Sequence, residues 1–570
     1  MKKIFSITEC FPKLNRKQQL KEAWKTVDWK ACQNFVDRLQ RSISVAMEYE
    51  NYTKVRELRR ILFKSEAMTL LSIRRVTQDN KGKRTAGVDG IKSLTPAQRM
   101  ELVENLKDGI ERPWSPVRQV EILKKNGKIR TLGIPTINDR VYQAKLKAII
   151  EPSYETIAER DSYGFRPKRS TKDAIEQIFM STNRKQQAWI LEGDLKGFFD
   201  NISTVAITDN IIIKNDKQLI GTIENLVKSG AMTVNHEMVD TDKGTPQGGI
   251  ISPLLANIAF TGMETMVLHG IRTGQKSRRK DLCQIQVIVY ADDFVVIAKE
   301  RWIVEELKVV IGKWCMEKMN VELSSEKTRI TDIYDGFDFL GCNIRRYKTS
   351  NTTSKLLIKP SKDSIKSIKL KIKDVIKSHG GVTQDVLIGK LNPVIRGYAN
   401  YHSGNVAKKV FSAIGRYIFK KLWRWAYKKH NNKGKVWIAK KYWHSVGKGN
   451  WVFKTKDYEL YDIASTKIVR HIKIKGSHHI FDGQVEYWNK RSLANMNGKM
   501  TRKQSCLKKQ KFACNICSQE FKHDSIIELD HIIPKSRGGN EELNNLQVLH
   551  RHCHDTKTAS DGSYSQKRRV

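Results

Sequence analysis

Proline is scarce in this sequence, 12 of 570 residues, and glycine is modest at 35, which excludes a collagen-like or proline-rich chain. Acidic residues are outnumbered: 60 Asp and Glu face 104 Lys and Arg, leaving a formal charge of +44. No apolar run approaches the ~18 residues of a membrane span, and mean hydropathy is −0.52. The opening MKKIFSITEC carries two lysines but no apolar stretch of signal-peptide length. The nine cysteines are odd in number and mostly scattered (Cys10, Cys32, Cys283, Cys315, Cys342), unlike a secreted disulfide framework. The expected setting is soluble and intracellular, most simply the bacterial cytoplasm, with no membrane partner. Internal repeats and low-complexity tracts are also missing.

What is present is aromatic and basic. Twelve Trp, 17 Tyr and 18 Phe provide large core side chains, so the excess of cations does not signal disorder. Such an excess on a folded chain calls for a polyanion, most often nucleic acid. Residues 1–80 have helical apolar spacing, and a turn-rich basic loop, KGKRTAGVDG, follows at 81–90. From about 91 to 345 short β-branched runs alternate with helical stretches, which predicts an α+β core. Strand signals fade over 360–450, where RYIFKKLWRWAYKKH interleaves cations with aromatics on a helical period. Residues 451–505 form a basic, aromatic connector of uncertain fold.

Two acidic motifs stand out. QVIVYADDFVVIA (286–298) reads as a hairpin, with Val287–Tyr290 going up, Ala291-Asp292-Asp293 turning and Phe294–Ala298 returning. Adjacent carboxylates between buried strands are costly unless a cation neutralises them. By itself an Asp-Asp pair is more often a turn choice. AWILEGDLKGFFDNI (188–202) places Asp194 at the end of a short buried strand, where the plain alternative is a helix N-cap. Carboxylates on separate strands are what two-metal phosphoryl transfer requires.

With GTPQGGIISPLLANIAF (244–260) between them, these motifs resemble the palm of group II intron-encoded reverse transcriptases. TAGVDG (85–90), GKIRTLGIPTINDRVYQ (127–143), SYGFRPKRSTKDAI (162–175), SSEKTRI (324–330) and FDFLGCNI (337–344) resemble further blocks, in family order. The resemblance implies that Asp194, Asp292 and Asp293 hold Mg²⁺. It implies that Lys128 and Arg130 clamp the incoming triphosphate, with Lys327 a weaker candidate for orienting it. Phe199 takes the place of the steric gate against a ribose 2′-OH, and Gln247 lies where backbone approaches nucleotide and template. Thr131 departs from the family, which often has Pro there.

LIGKLNPVIRGYANYH, within 380–430, resembles the start of the family's thumb and maturase region (domain X). Arg396, Tyr398, Arg416, Lys420, Lys421 and Arg424 are its candidate RNA contacts. Phe419, Trp423 and Trp425 read better as helix core.

In the C-terminal segment Cys514-x-x-Cys517 and His550-x-x-Cys553 are two ligand pairs suited to tetrahedral Zn²⁺. Relatives more often have CxxC in the second pair, so His552 stays open as a substitute for His550. IIELDHIIPKSRGGNEELNNLQVLHRHCHDTK resembles the HNH (ββα-metal) endonuclease motif. That implies His531 as general base, Asn545 as the brace of its loop, and Asp530 with His554 as Mg²⁺ ligands.

The expected architecture is multidomain α+β: a helical extension (1–80), right-hand fingers and palm (81–350), a helical thumb or domain X (351–450), a basic DNA-binding connector (451–505) and an HNH domain with structural zinc (506–570). The implied protein is a reverse transcriptase, splicing maturase and second-strand nuclease. Its partners would be group II intron RNA, double-stranded target DNA and dNTPs. A maturase whose palm is only scaffold, a stand-alone HNH nuclease, and the reverse transcriptase of another element are the alternatives.

Overall fold

The computed structural model describes residues 14–106, 113–123, 127, 129–183, 187–210, 216–233, 235, 237–241, 244–245, 247–270, 285–350, 353–446, 449–476, 478–495, 502–521 and 525–561. Helices Arg16–Thr26, Trp29–Glu48, Tyr52–Lys64 and Glu66–Arg74 open the fold. Asn15, Asp28, Asn51 and Ser65 cap their N-termini by accepting backbone N–H groups. Their apolar faces meet helix Ile137–Ile157 and the palm in one continuous core, so the N-terminal helices are not a separate unit. A fingers hairpin pairs Val117–Leu123 with Ile129–Ile134.

The palm is a four-stranded antiparallel sheet in the order Gln286–Tyr290, Asp293–Ala298, Trp189–Asp194, Arg329–Asp332. Helix Arg301–Met319 covers one face and helix Thr171–Thr182 the other. A second sheet orders Ser354–Pro360, Cys342–Lys348 and Phe337–Phe339. Its pairing carries sheet structure past position 350, so the helical thumb begins only at Lys362.

The thumb comprises helices Lys362–Ser378, Gln384–Tyr401, Lys408–Lys429 and Lys435–Tyr442, closed by a hairpin of Trp443–Val446 with Gly449–Phe453. The connector is anchored at several points. Ile463 is buried in the thumb core, while Ile474 and Trp488 are buried in the palm core. Asp173, fully buried, accepts hydrogen bonds from the Ile474 N–H (3.0 Å) and from Arg491 Nη2, and it pairs with His471 Nε2 at 3.0 Å. Burial works against its charge, yet these partners outweigh that and hold its carboxyl at about 2.

The C-terminal unit is a ββα motif: Ile527–His531 pairs with Leu546–His550, and helix Arg551–Ser560 follows. It sits against the N-terminal helices. Gln519, buried in the turn after Cys517, donates from Nε2 to the Trp29 carbonyl (2.9 Å) and accepts from Arg74 Nη1 (3.0 Å). His552 pairs with Asp79 at 2.8 Å.

Candidate active sites

The first site is built on the Tyr290–Asp293 turn. Only Ala291 and Asp292 form the loop, and Asp293 already belongs to the returning strand, one residue earlier than the sequence pattern predicts. Ala291 has φ 59, a left-handed conformation that costs a β-carbon-bearing residue about 1 kcal/mol. The SYGF block holds this turn. Tyr163 N–H donates to the Val289 carbonyl at 2.9 Å, and Val289 N–H donates to the Asp161 carbonyl at 3.0 Å. A β-carbon on Gly164 would lie 2.2 Å from the Ala291 nitrogen, so only glycine allows the two backbones to approach so closely. Asn257 Nδ2, from the ANIAF segment, donates to the Gly164 carbonyl at 2.9 Å. Below them Arg166 grips Glu155 with two 3.0 Å hydrogen bonds, both side chains 1% exposed.

Asp194 is directly opposite Asp293 in the sheet register. It caps no helix: the next helix, Phe198–Asn201, has Gly197 at its N-cap, and Asp194 instead receives Lys327 Nζ at 2.7 Å. Burial and then the neighbouring Asp292 and Asp194 push the Asp293 carboxyl up to about 7. Burial raises Asp292 as well. Lys327 is raised, because the three acids outweigh its own partial burial. Among the described residues, three crowded carboxylates face the Lys327 ammonium and, more distantly, Arg130, and retain excess negative charge. That donor set, all oxygen and under mutual repulsion, fits a hard divalent cation.

The fingers close over this site through one hydrogen-bond chain. Arg130 Nε donates to Gln247 Oε1 (2.7 Å), and Gln247 Nε2 donates to Asp200 Oδ1 (3.0 Å). The GTPQGG segment fits between fingers and palm, with Gly133 N–H on the Gln247 carbonyl and Thr245 N–H on the Phe199 carbonyl. Gly248 adopts φ 130, and a β-carbon there would meet the Gly133 carbonyl oxygen at 2.6 Å. Phe199 is half-buried, its ring edge-on to Phe165 at 5.9 Å. Lys128 lies outside the described residues. Asp200 and Phe165 were not singled out by the sequence reading, although both stand inside the GFFD and SYGF blocks.

On the thumb, Arg416, Lys420 and Arg424 are exposed. Lys421 is half-buried, its Nζ 5.4 Å from the Tyr417 ring centroid. Arg396 is exposed and stacks over Tyr461. Tyr398 is half-buried against the thumb core, with His402 at 4.7 Å and Phe411 at 6.3 Å. Of the aromatics read as helix core, Trp425 is buried and Trp423 half-buried, but Phe419 is 39% exposed.

The C-terminal site has two parts. Cys514, Cys517, His550 and Cys553 place one ligand atom each, all within 4.8 Å of one another. Contacts with Cys514 and Cys553 pull the Cys517 thiol well below its usual range. Burial opposes a charged His550, but the Cys514 and Cys517 sulfurs outweigh it and lift the imidazole to about 9. Three sulfurs and one imidazole, mostly buried, fit zinc coordination. His552, the open alternative, is not in this group; its Nδ1 pairs with Asp79 at 2.8 Å.

On the opposite side of the ββα motif, Asp530 Oδ1 lies 3.8 Å from His554 Nε2, and Asp530 Oδ2 accepts from Gln547 (2.9 Å) and pairs with Lys557 (3.1 Å). Lys557 also donates to the His531 carbonyl at 2.8 Å. Asn545 links three points of the loop after His531: Ile533 N–H donates to its Oδ1, and its Nδ2 donates to the Ile533 and Asn540 carbonyls. His531 Nε2 faces Glu541 at 3.4 Å. Gln547, Lys557 and Glu541 escaped the sequence reading, although all three lie in the HNH-like segment.

These arrangements define a polynucleotide polymerase palm joined to a ββα-metal nuclease unit. Comparison with known families matches residues 24–106 to the N-terminal domain of reverse transcriptase and 122–344 to reverse transcriptase (RNA-dependent DNA polymerase). Residues 365–443 match the group II intron maturase-specific domain, and 514–560 match HNH endonuclease. The domain content and order are those of a group II intron reverse transcriptase/maturase carrying an HNH domain. Among individual proteins, the group II intron-encoded protein LtrA of Lactococcus lactis subsp. cremoris is 33% identical over 325 residues, covering 47% of this chain and 53% of LtrA. Protein YkfC of Escherichia coli (strain K12) is 29% identical over 345 residues, covering 55% of this chain and 89% of YkfC. An uncharacterized 91 kDa protein in a cob intron of Schizosaccharomyces pombe is 27% identical over 440 residues, covering 65% of this chain and 53% of that protein. The match thus spans about half the length of LtrA. Among the described residues no helix is long and apolar enough to cross a membrane.

Proposed function

We propose that this protein is an RNA-directed DNA polymerase and splicing maturase of a mobile group II intron, and that its HNH domain nicks the second strand of the target DNA. The observation that carries the polymerase reading is the carboxylate set Asp194, Asp292 and Asp293, brought together because Asp194 lies opposite Asp293 in the sheet, with Arg130 of the fingers held by Gln247. These three acids would hold Mg²⁺, which when bound activates a primer 3′-hydroxyl and offsets charge on the leaving pyrophosphate. Arg130 and Lys327 supply positive charge on either side of that point, and Lys128 belongs to the same fingers block. Phe199, steadied by Phe165, excludes a sugar 2′-OH. Thumb cations on the Lys408–Lys429 helix hold the intron RNA by its phosphates.

In the nuclease, His531 takes the proton from an attacking water, Asp530 and His554 would hold Mg²⁺, and Asn545 fixes the loop behind the base. Zn²⁺ at Cys514, Cys517, His550 and Cys553 is structural. Intron RNA, double-stranded target DNA and dNTPs are the partners, and the working compartment is the bacterial cytoplasm. The cycle runs from RNA binding and splicing, through reverse splicing of the RNA into one DNA strand, to nicking of the other strand and extension of its 3′ end.

The test is primer extension on an RNA template with Mg²⁺ and dNTPs, run beside Asp292→Ala. Extension by the parent alone is expected. Failure of both, with co-purifying RNA retained, would remove the polymerase and leave a maturase.

A further inference from the structure

The thumb's basic helix carries two parallel stripes that the polymerase site does not use. Arg416, Lys420 and Arg424 recur every four residues, about 6 Å apart along the axis, and all three are exposed. Phe419 and Trp423 recur at the same interval, one residue behind Lys420 and Arg424. Trp443 is buried beneath them, 5.6 Å from Phe419 and 5.2 Å from Trp423.

The hairpin that closes the thumb adds a third ring. Trp451 is 55% exposed and stands 6.4 Å from Phe419 and 6.3 Å from Trp423. Its backbone has φ 65, a left-handed conformation that is a genuine outlier for a bulky residue and costs on the order of 1–3 kcal/mol. Burial does not compensate for this, because more than half of the side chain faces solvent. A large apolar ring is therefore held outward at a cost, level with an exposed phenylalanine and beside a line of cations.

We infer that Phe419 and Trp451, whose rings stand edge to face, each offer a stacking face to unpaired bases of an RNA strand whose phosphates run along Arg416, Lys420 and Arg424. Aromatic faces accept any base, and a neighbouring row of guanidinium and ammonium groups follows the backbone without reading sequence. A protein partner would meet three like charges along the rim, whereas RNA neutralises them. The choice of RNA rests on the intron reading above, since Phe419, Trp423 and Trp443 lie within or at the end of the maturase-specific match. The pair of stacking faces extends that match to Trp451, outside it, and assigns a function to single-stranded segments in addition to folded RNA.

The test uses the full-length protein, without primer or dNTPs, and three probes: a short oligouridine, the same strand with abasic sites, and a blunt RNA duplex. The parent is expected to bind the base-bearing strand about tenfold more tightly than the abasic one. Trp451→Ala should lose that preference and Trp451→Phe should keep most of it. Arg416→Gln with Lys420→Gln should weaken both strands alike and flatten the salt dependence. A 4-thiouridine strand should crosslink the parent at Trp451 or Phe419. Equal binding of base-bearing and abasic strands, a preference that survives Trp451→Ala, crosslinks confined to other segments, or an oligothymidine that outcompetes the RNA would each overturn the assignment. Primer extension by the parent is scored separately. A protein that discriminates the strands but extends no primer keeps the stacking faces and loses the polymerase.

Discussion

Arg130 reaches Gln247 through one nitrogen of a planar group that lysine cannot reproduce. Arg130→Lys should therefore raise the KM for dNTPs about tenfold while changing kcat less, measured by steady-state extension. Phe199 is backed by Phe165 and by Phe198, so its ring cannot swing aside freely. Phe199→Val should admit ribonucleotides, raising their incorporation relative to dNTPs by at least about tenfold, as read on sequencing gels. The sequence showed these residues because motif blocks keep chemistry within a few positions of one another. It could not show Lys327 on Asp194, 133 positions away, or Gln247 on Asp200, 47 positions away. Such pairs arise from tertiary packing and leave no periodic trace. Nor could the sequence show His402 and Phe411 packed against the Tyr398 ring.

Where the thumb joins the palm, His402 is 1% exposed, with Ser364 Oγ at 3.1 Å from Nε2 and Asn405 Nδ2 at 3.1 Å from Nδ1. Burial, with Lys172 nearby, pushes its imidazole down to about 4. The unfolded chain takes up the proton first, so this contribution is complete above pH ~6.5 and is lost as pH falls from 6.5 towards 4. The loss is on the order of 3 kcal/mol at the thumb root. Urea midpoints should fall across that window in the parent, and His402→Asn should show a lower midpoint at pH 7.5 with a flatter profile. The other joint is Asp173. Its replacement by Ala strands Arg491 and frees the Ile474 N–H, for a cost of about 3–5 kcal/mol that thermal unfolding would register. Helical periodicity foretold the thumb and the N-terminal helices. It said nothing of the connector, which long-range anchors at Ile463, Ile474 and Trp488 tie to the thumb and palm.

For the whole molecule, the segment around Cys514 and Cys517 links two units through Gln519. Cys514 and Cys517 shape the turn that presents Gln519, and Cys514 N–H donates to the Gln519 carbonyl at 2.9 Å. Stripping the metal with a chelator, or replacing Cys517 by Ser, should open residues 502–561 to limited proteolysis. Metal analysis should show one zinc lost per chain. Protection unchanged after complete removal of zinc would mean that the ββα unit holds itself together. The boundaries legible in the sequence were those of motifs. Those of cores were not, since the N-terminal helices share their interior with the palm and the sheet continues past 350.

The Gln519 contact with Trp29 joins positions 490 residues apart. At ~5–20 residues per second, a ribosome needs roughly 25–100 s to travel between them. During that interval the fingers, palm and thumb emerge and can fold, while the slot between Trp29 and Arg74 still awaits its occupant. Birth order alone thus gives the fingers, palm and thumb a head start over the C-terminal ββα unit.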